Sequence, residues 1–116
     1  LDSVAGSARL TALTSEFPAL PAFVRQAVAS AGGTIGIHPV LMTNSDHANF
    51  AAKGIPALRL VAGFDEPQSN LRYVLTAADT RDKAAPAELT AAALAAASIT
   101  WAALNADDAT MAALRR

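Results

Sequence analysis

The chain contains no cysteine, which excludes disulfides and thiolate metal sites. Only His, Asp and Glu side chains remain as metal ligands, a set suited to a hard or borderline ion. Lysine is nearly absent, with Lys53 and Lys83 alone, and the formal net charge is -1. No basic stripe exists along which a phosphate backbone could run, so nucleic acid is not an expected partner. No run of apolar residues is expected to reach the roughly 18 needed for a membrane span, and no charged, apolar, small-residue leader opens the sequence. Acidic tails and internal repeats are lacking as well.

What is present is 116 residues, enough for one domain that buries roughly two-thirds of its unfolded surface. The sequence points to an α/β layer arrangement. Residues 1–5 read as the tail of a strand that should have more residues before it, so residues 1–116 are expected to be a piece of a larger protein. Asp2, near the C-terminal end of that strand, stands where open α/β sheets keep ligands, or is simply an exposed carboxylate near a chain end. Residues 7–16 have no firm period and read as helix or loop. Pro18 and Pro21 lead into a helix whose apolar positions are Leu20, Phe23, Val24, Ala27, Val28 and Ala31, stopped by Gly32 and Gly33. Ile35, Ile37 and Val40 suggest a short strand or extended passage. His38, held extended before Pro39, is either a metal ligand or a partly exposed polar residue, with no second ligand spaced beside it.

Ser45, Asp46 and His47 open a short helix that Gly54 closes, with Ser45 expected as the N-cap and Asp46 favoured by the helix dipole. Residues 55–62 then read as a strand buried on both faces. Residues 63–72 have the composition of an exposed loop, residues 73–75 form a short apolar run, and Asp79, Thr80 and Asp82 compete for a turn. A last long helix should begin at Pro86 and reach Asn105. Its packed face is expected to hold Leu89, Ala92, Ala93, Ala96, Ile99, Ala103 and Leu104, with Trp101 at the border. Residues 106–116 read as a turn and a short amphipathic tail.

Ser45, Asp46, His47, Phe50, Gly54, Ile55, Pro56 and Ala57, followed by Tyr73, Thr76, Asp79, Thr80, Asp82 and Lys83, form two ordered blocks. In this order and spacing they resemble the C-terminal part of the zinc metallopeptidases of the bacterial leucyl aminopeptidase and glutaminyl cyclase type. The resemblance implies a partial three-layer αβα fold with a mostly parallel sheet. It implies a parent enzyme with two zinc ions that removes N-terminal residues from peptides, in a secreted or periplasmic setting. Asp2 falls on a metal-ligand position, and Ser45 beside it on a hydroxyl that orients the ligand. Asp46 and His47 fall on a polar pair next to the site, where they bind a substrate amine or stiffen the ligands. The other reading of that pair is a helix cap with a satisfied histidine beneath it.

Two departures follow from the same comparison. The family's last His ligand falls on Leu75, which has no lone pair, and Tyr73, two residues away, is expected beside the site with Ser45, Asp46 and His47, orienting a ligand or touching substrate, since a neutral phenol is a poor zinc ligand. The remaining ligands and the general-base Glu are expected upstream of Leu1, so no catalytic residue is assigned to these 116 residues, and they are not expected to retain zinc alone. The upstream half of the same domain and a peptide with a free N-terminus are the expected partners. A peptidase-like scaffold without metal is the competing reading, favoured by Leu75, and a glutaminyl-cyclase-type transferase is a third.

Overall fold

A computed structural model describes residues 3–115 of the chain. Strand β1 (Leu10–Leu13) is followed by helix α1 (Leu20–Ser30), strand β2 (Gly36–His38), helix α2 (His47–Ala51) and strand β3 (Arg59–Ala62). Two short 3-10 turns, Asn70–Tyr73 and Arg81–Lys83, precede helices α3 (Pro86–Leu104) and α4 (Asp108–Ala113). The sheet order is β2-β1-β3. β1 pairs with β2 in parallel, Ala12 opposite Ile37, and with β3 antiparallel, Ala12 opposite Leu60. The architecture is therefore α/β with a small mixed sheet. A mostly parallel sheet is not what the described residues form, since one of the two pairings is antiparallel.

The local rules account for α1. Pro21 sits in the first turn, where its missing N–H has no partner to lose, and Leu20, Val24, Ala27 and Val28 recur on one buried face. After Ser30 the chain turns, with the Gly32 and Gly33 amides donating back to Ala29 and Val28 carbonyls at 2.9 and 3.0 Å. The same crossover returns the chain to the sheet as β2, parallel to β1, as a helical connection must.

The core forms where one sheet face meets the helices. Ala12 and Leu60, opposite each other in register, join Phe17, Leu20, Val24, Ala51 and Leu114 in one buried cluster. Leu13 and Val61 point to the other face by the two-residue alternation of a strand, and both are buried too. β3 is thus covered on both faces, as its unbroken apolar run predicts.

Several expectations are corrected here. The central strand lies at Leu10–Leu13, inside the segment read as helix or loop. The strand expected over residues 55–62 is confined to Arg59–Ala62. Ser3, Val4 and Ala5 are not strand, although the Ser3 carbonyl accepts from the Ala62 amide at 2.9 Å, which holds this segment beside the end of β3. Leu1 and Asp2 lie outside the described residues, so the strand expected there and the ligand expected at Asp2 do too. The short apolar run Tyr73, Val74, Leu75 leaves the first 3-10 turn, with Leu75 at φ 64°.

α3 matches its expected span and, in part, its expected face: Ala92 is buried and Ala96 and Ile99 pack against the core, whereas Leu89 and Leu104 do not. Pro86 and Glu88 begin it, and the Glu88 carboxylate accepts from both the Ala85 amide (3.4 Å) and the Gly6 amide (2.7 Å). Ala92 and Ala95 are buried, while Leu89, Leu94, Trp101 and Leu104 are exposed. Apolar side chains lie all round this helix, so sequence periodicity could not keep Leu89 and Leu104 off the expected face. α3 is also long and apolar enough, by length and composition alone, to cross a membrane. It is the one such helix among the described residues and only weakly apolar, so no clear membrane span is present. Alanines contribute most of its apolar character, and it packs by Ala92, Ala96 and Ile99 within the fold.

Candidate functional site

Helix α2 places His47 at its first residue. The turn before it is closed by backbone bonds, the Ala48 amide to the Ser45 carbonyl (3.0 Å) and the Asn49 amide to the Asp46 carbonyl (3.1 Å). Asp46, not Ser45, occupies the N-cap, and neither side chain caps the helix. Asp46 has helical backbone angles there, so its carboxylate cannot reach back over the first amides as an extended cap residue would. Gly54 ends the passage with its amide on the Ala51 carbonyl at 2.9 Å.

The buried member of the triplet is His47, 9% exposed, and neither ring nitrogen has a hydrogen-bond partner among the described residues. A buried imidazole with two open nitrogens is costly unless a ligand or water supplies the bonds. Burial holds its pKa below the ordinary value, and the nearby Arg59 cation pushes the same way. Arg59 lies opposite Leu13, the last residue of β1, and donates to the Asn44 side-chain oxygen at 3.2 Å. The charge that acts on His47 thus stands at the end of the sheet where β1 and β2 finish.

A pH dependence follows. The unfolded chain takes up the His47 proton near pH 6.5, and the folded chain only at a lower pH. This contribution to stability is therefore complete above about pH 6.5 and is lost as pH falls from there toward the folded-state value. Urea midpoints should be lower at about pH 5.5 than at about pH 7.5, and His47→Gln should shrink that difference. An identical difference in wild type and variant would show that the imidazole is not held neutral by the fold.

Sequence reasoning missed a feature at the same end of β1. Thr14 and Ser15 are fully buried, and Ser15 and Glu16 both adopt left-handed backbone angles, φ 53° and 62°. The Thr14 and Glu16 amides bond to the His38 and Pro39 carbonyls at 2.9 and 2.7 Å. Two consecutive non-glycine residues in that region are strained, a condition that concentrates at functional sites. Nothing in the residue types Ser and Glu announces it. His38 has its Nδ1 accepting from the Val40 amide at 3.3 Å and its ring edge-on to Phe64 at 5.1 Å.

The second sequence block folds into a separate polar patch. The Tyr73 hydroxyl accepts from Arg72 at 2.9 Å, and the Arg72 guanidinium and Lys83 ammonium lie 4.6 and 5.6 Å from its ring centre. Lys83 also pairs with the Asp82 carboxylate, to which Thr80 donates. These two contacts hold Asp82 down to about 2. The Asn70 amide joins the two 3-10 turns by donating to the Lys83 carbonyl at 2.9 Å. No hydrogen bond joins Tyr73 to Ser45, Asp46 or His47. Leu75 is 97% exposed and touches neither group.

The described residues include no cluster of three or more His, Asp or Glu side chains able to hold a metal ion. One open imidazole is too few donors for zinc, which takes at least three protein ligands. A shallow cleft of about 490 Å³ follows the loop after β3, between Phe64, Asp65, Ser69 and Arg72. A larger groove, about 740 Å³, lies elsewhere, between α1 and α3.

An α/β chain with a small mixed sheet and a buried histidine open at both ring nitrogens is the class that fold and site define. No protein-family model, curated protein or solved structure matches the chain.

Proposed function

We propose that the chain is the C-terminal portion of a zinc-dependent aminopeptidase domain, a partial three-layer αβα fold whose upstream half supplies the remaining zinc ligands and the general-base Glu. The observation that carries this reading is His47. It stands in the Ser, Asp, His block that resembles the zinc peptidases, and it is buried with both nitrogens open, close enough to Arg59 at the start of β3 to feel its charge. In this reading Asp2 is a metal ligand, Ser45 orients it, and Asp46 and His47 hold the substrate's amino group. Zinc would lower the pKa of a bound water so that a carboxylate base can direct it at the peptide carbonyl. His47 suits an amine. Its neutral imidazole can accept from an ammonium, whereas a protonated one would repel it.

The test is made on the protein with its upstream coding sequence. Two zinc ions per chain and release of the first residue from an N-terminally free peptide are expected, both lost on treatment with a chelator. Asp2→Ala should reduce turnover by at least a hundredfold, in line with the loss of a metal ligand or its orientation. Absence of zinc would overturn the proposal and favour a peptidase-like scaffold, the reading that Leu75 supports because it offers no donor where the family has histidine. Cyclisation of an N-terminal glutamine without peptide hydrolysis would favour the transferase.

A further inference from the structure

Residues 3–9 are tied to three separate parts of the fold. The sheet order makes β3 an edge strand. On its outer edge the Ala62 amide donates to the Ser3 carbonyl at 2.9 Å, while the next amide, that of Gly63, donates to the Arg9 carbonyl on the β1 side at 2.8 Å. The segment therefore wraps round the end of β3 from one edge to the other. Between those two points Gly6 is held at both of its polar backbone atoms. Its amide donates to the Glu88 carboxylate at 2.7 Å, and its carbonyl accepts from the Asn70 amide at 3.0 Å. Gly6 has φ 107°, and a methyl group there would lie 2.7 Å from the Asn70 Cβ, so this point of the segment admits glycine alone.

Of these four hydrogen bonds only the one to Glu88 comes from a side chain. A backbone amide bonded to a carboxylate is charge-assisted, and such bonds are stronger than those between neutral groups. The same carboxylate oxygen accepts from the Ala85 amide at 3.4 Å, so its place is set by the start of α3. Close packing does not replace it, because a cavity of about 130 Å³, with Val4, Ser7, Ala87 and Ala91 among its lining residues, separates the segment from the helix. The half of the segment after Gly6 has its own anchor, the Ser7 hydroxyl donating to the Glu66 carboxylate. The half before it leads back to Ser3, and Asp2, outside the described residues, directly precedes Ser3 in the chain.

We propose that Glu88 is a positioning residue. By holding Gly6 against the start of α3, its carboxylate fixes the backbone that leads to Asp2, and through it the metal ligand that the peptidase reading assigns there. This role rests on the peptidase reading for its metal; the tether itself does not.

The test uses the protein with its upstream coding sequence, zinc affinity being measured by competition with a chelator. Glu88→Ala should weaken binding of one of the two zinc ions by about ten- to a hundredfold, the usual loss when a group that orients a metal ligand is removed. Glu88→Gln keeps an acceptor without the charge and should recover part of that loss. Gly6→Ala, which disturbs the same tether from its other side, should lose as much as Glu88→Ala. Ala93→Gly weakens α3 at an exposed position away from the segment and should leave zinc affinity unchanged. Amide hydrogen exchange gives a readout that needs no metal: in Glu88→Ala it should quicken at residues 3–7 and stay as slow as in wild type in α1. A wild type that binds two zinc ions, with Glu88→Ala at unchanged affinity, would overturn the positioning role and leave the peptidase reading standing. The role would also be overturned if Ala93→Gly matched the Glu88→Ala loss, or if exchange quickened equally throughout the chain, since Glu88 would then act only on stability. A wild type without zinc would overturn both.

Discussion

Phe17→Ala should cost about 3–5 kcal/mol, the usual loss for truncating a fully enclosed aromatic ring. Phe17 is the largest of the fully buried side chains and sits at the centre of the cluster that unites β1, β3, α1, α2 and α4 through Ala12, Leu60, Leu20, Val24, Ala51 and Leu114. Its position is fixed from both sides. The Phe17 amide donates to the Thr14 carbonyl (3.1 Å) and its own carbonyl accepts from the Leu20 amide (3.3 Å), so the ring cannot swing out to follow a collapsing cavity. Set against about 5–15 kcal/mol for a whole domain, the loss is a large share of the total stability. In urea the midpoint should fall by about 2 M, taking a slope near 2 kcal/mol per molar. Phe50→Ala, at a half-exposed ring on α2, should change stability by less than about 0.5 kcal/mol. Comparable losses at the two positions would show that the core is not centred on Phe17.

Gly63→Ala should cost about 2–4 kcal/mol, the sum of a left-handed backbone and an overpacked site. Gly63 has φ 69°, and a methyl group there would lie 2.4 Å from the Ser69 Cβ and 2.9 Å from the Ser7 Cβ. Neither neighbour can give way easily. The Ser69 hydroxyl donates to the Gly63 carbonyl at 3.0 Å, and the Gly63 amide closes the β1–β3 ladder on the Arg9 carbonyl at 2.8 Å. Gly32→Ala is the comparison that separates the two causes. Gly32 has a similar φ of 77° but open space around it, so only the backbone cost of about 1–2 kcal/mol applies. Thermal melts of the two variants should therefore differ by several degrees, Gly63→Ala being the lower. Equal melting temperatures would mean that the Ser69 and Ser7 contacts yield without cost.

The site was legible in part. Chemistry-bearing residue types before a glycine stop singled out Ser45, Asp46 and His47, because helix starts and stops are written locally in the side chains. Their states were not legible. That His47 is enclosed and open at both nitrogens depends on what surrounds α2, and that Asp46 rather than Ser45 takes the N-cap position, without capping by its side chain, depends on the backbone there. The second block, Tyr73 to Lys83, keeps its sequence order but forms its own cluster, since Arg72 and Lys83 are bound to Tyr73 and Asp82 within the turns.

By itself the sequence determined the helices: the span of α1 from its prolines, apolar spacing and glycines, and the start of α3 from Pro86 and Glu88. Helical hydrogen bonds join residues four apart, so the information lies within each segment. Tertiary structure alone decided that Leu10–Leu13 is the central strand, because its partners are Gly36–His38 and Arg59–Ala62, far along the chain. It also decided the limits of the inward face of α3: Ala92, Ala96 and Ile99 pack as their spacing suggests, while Leu89 and Leu104 are left exposed by the packing of Ala92 and Ala95 against the fold.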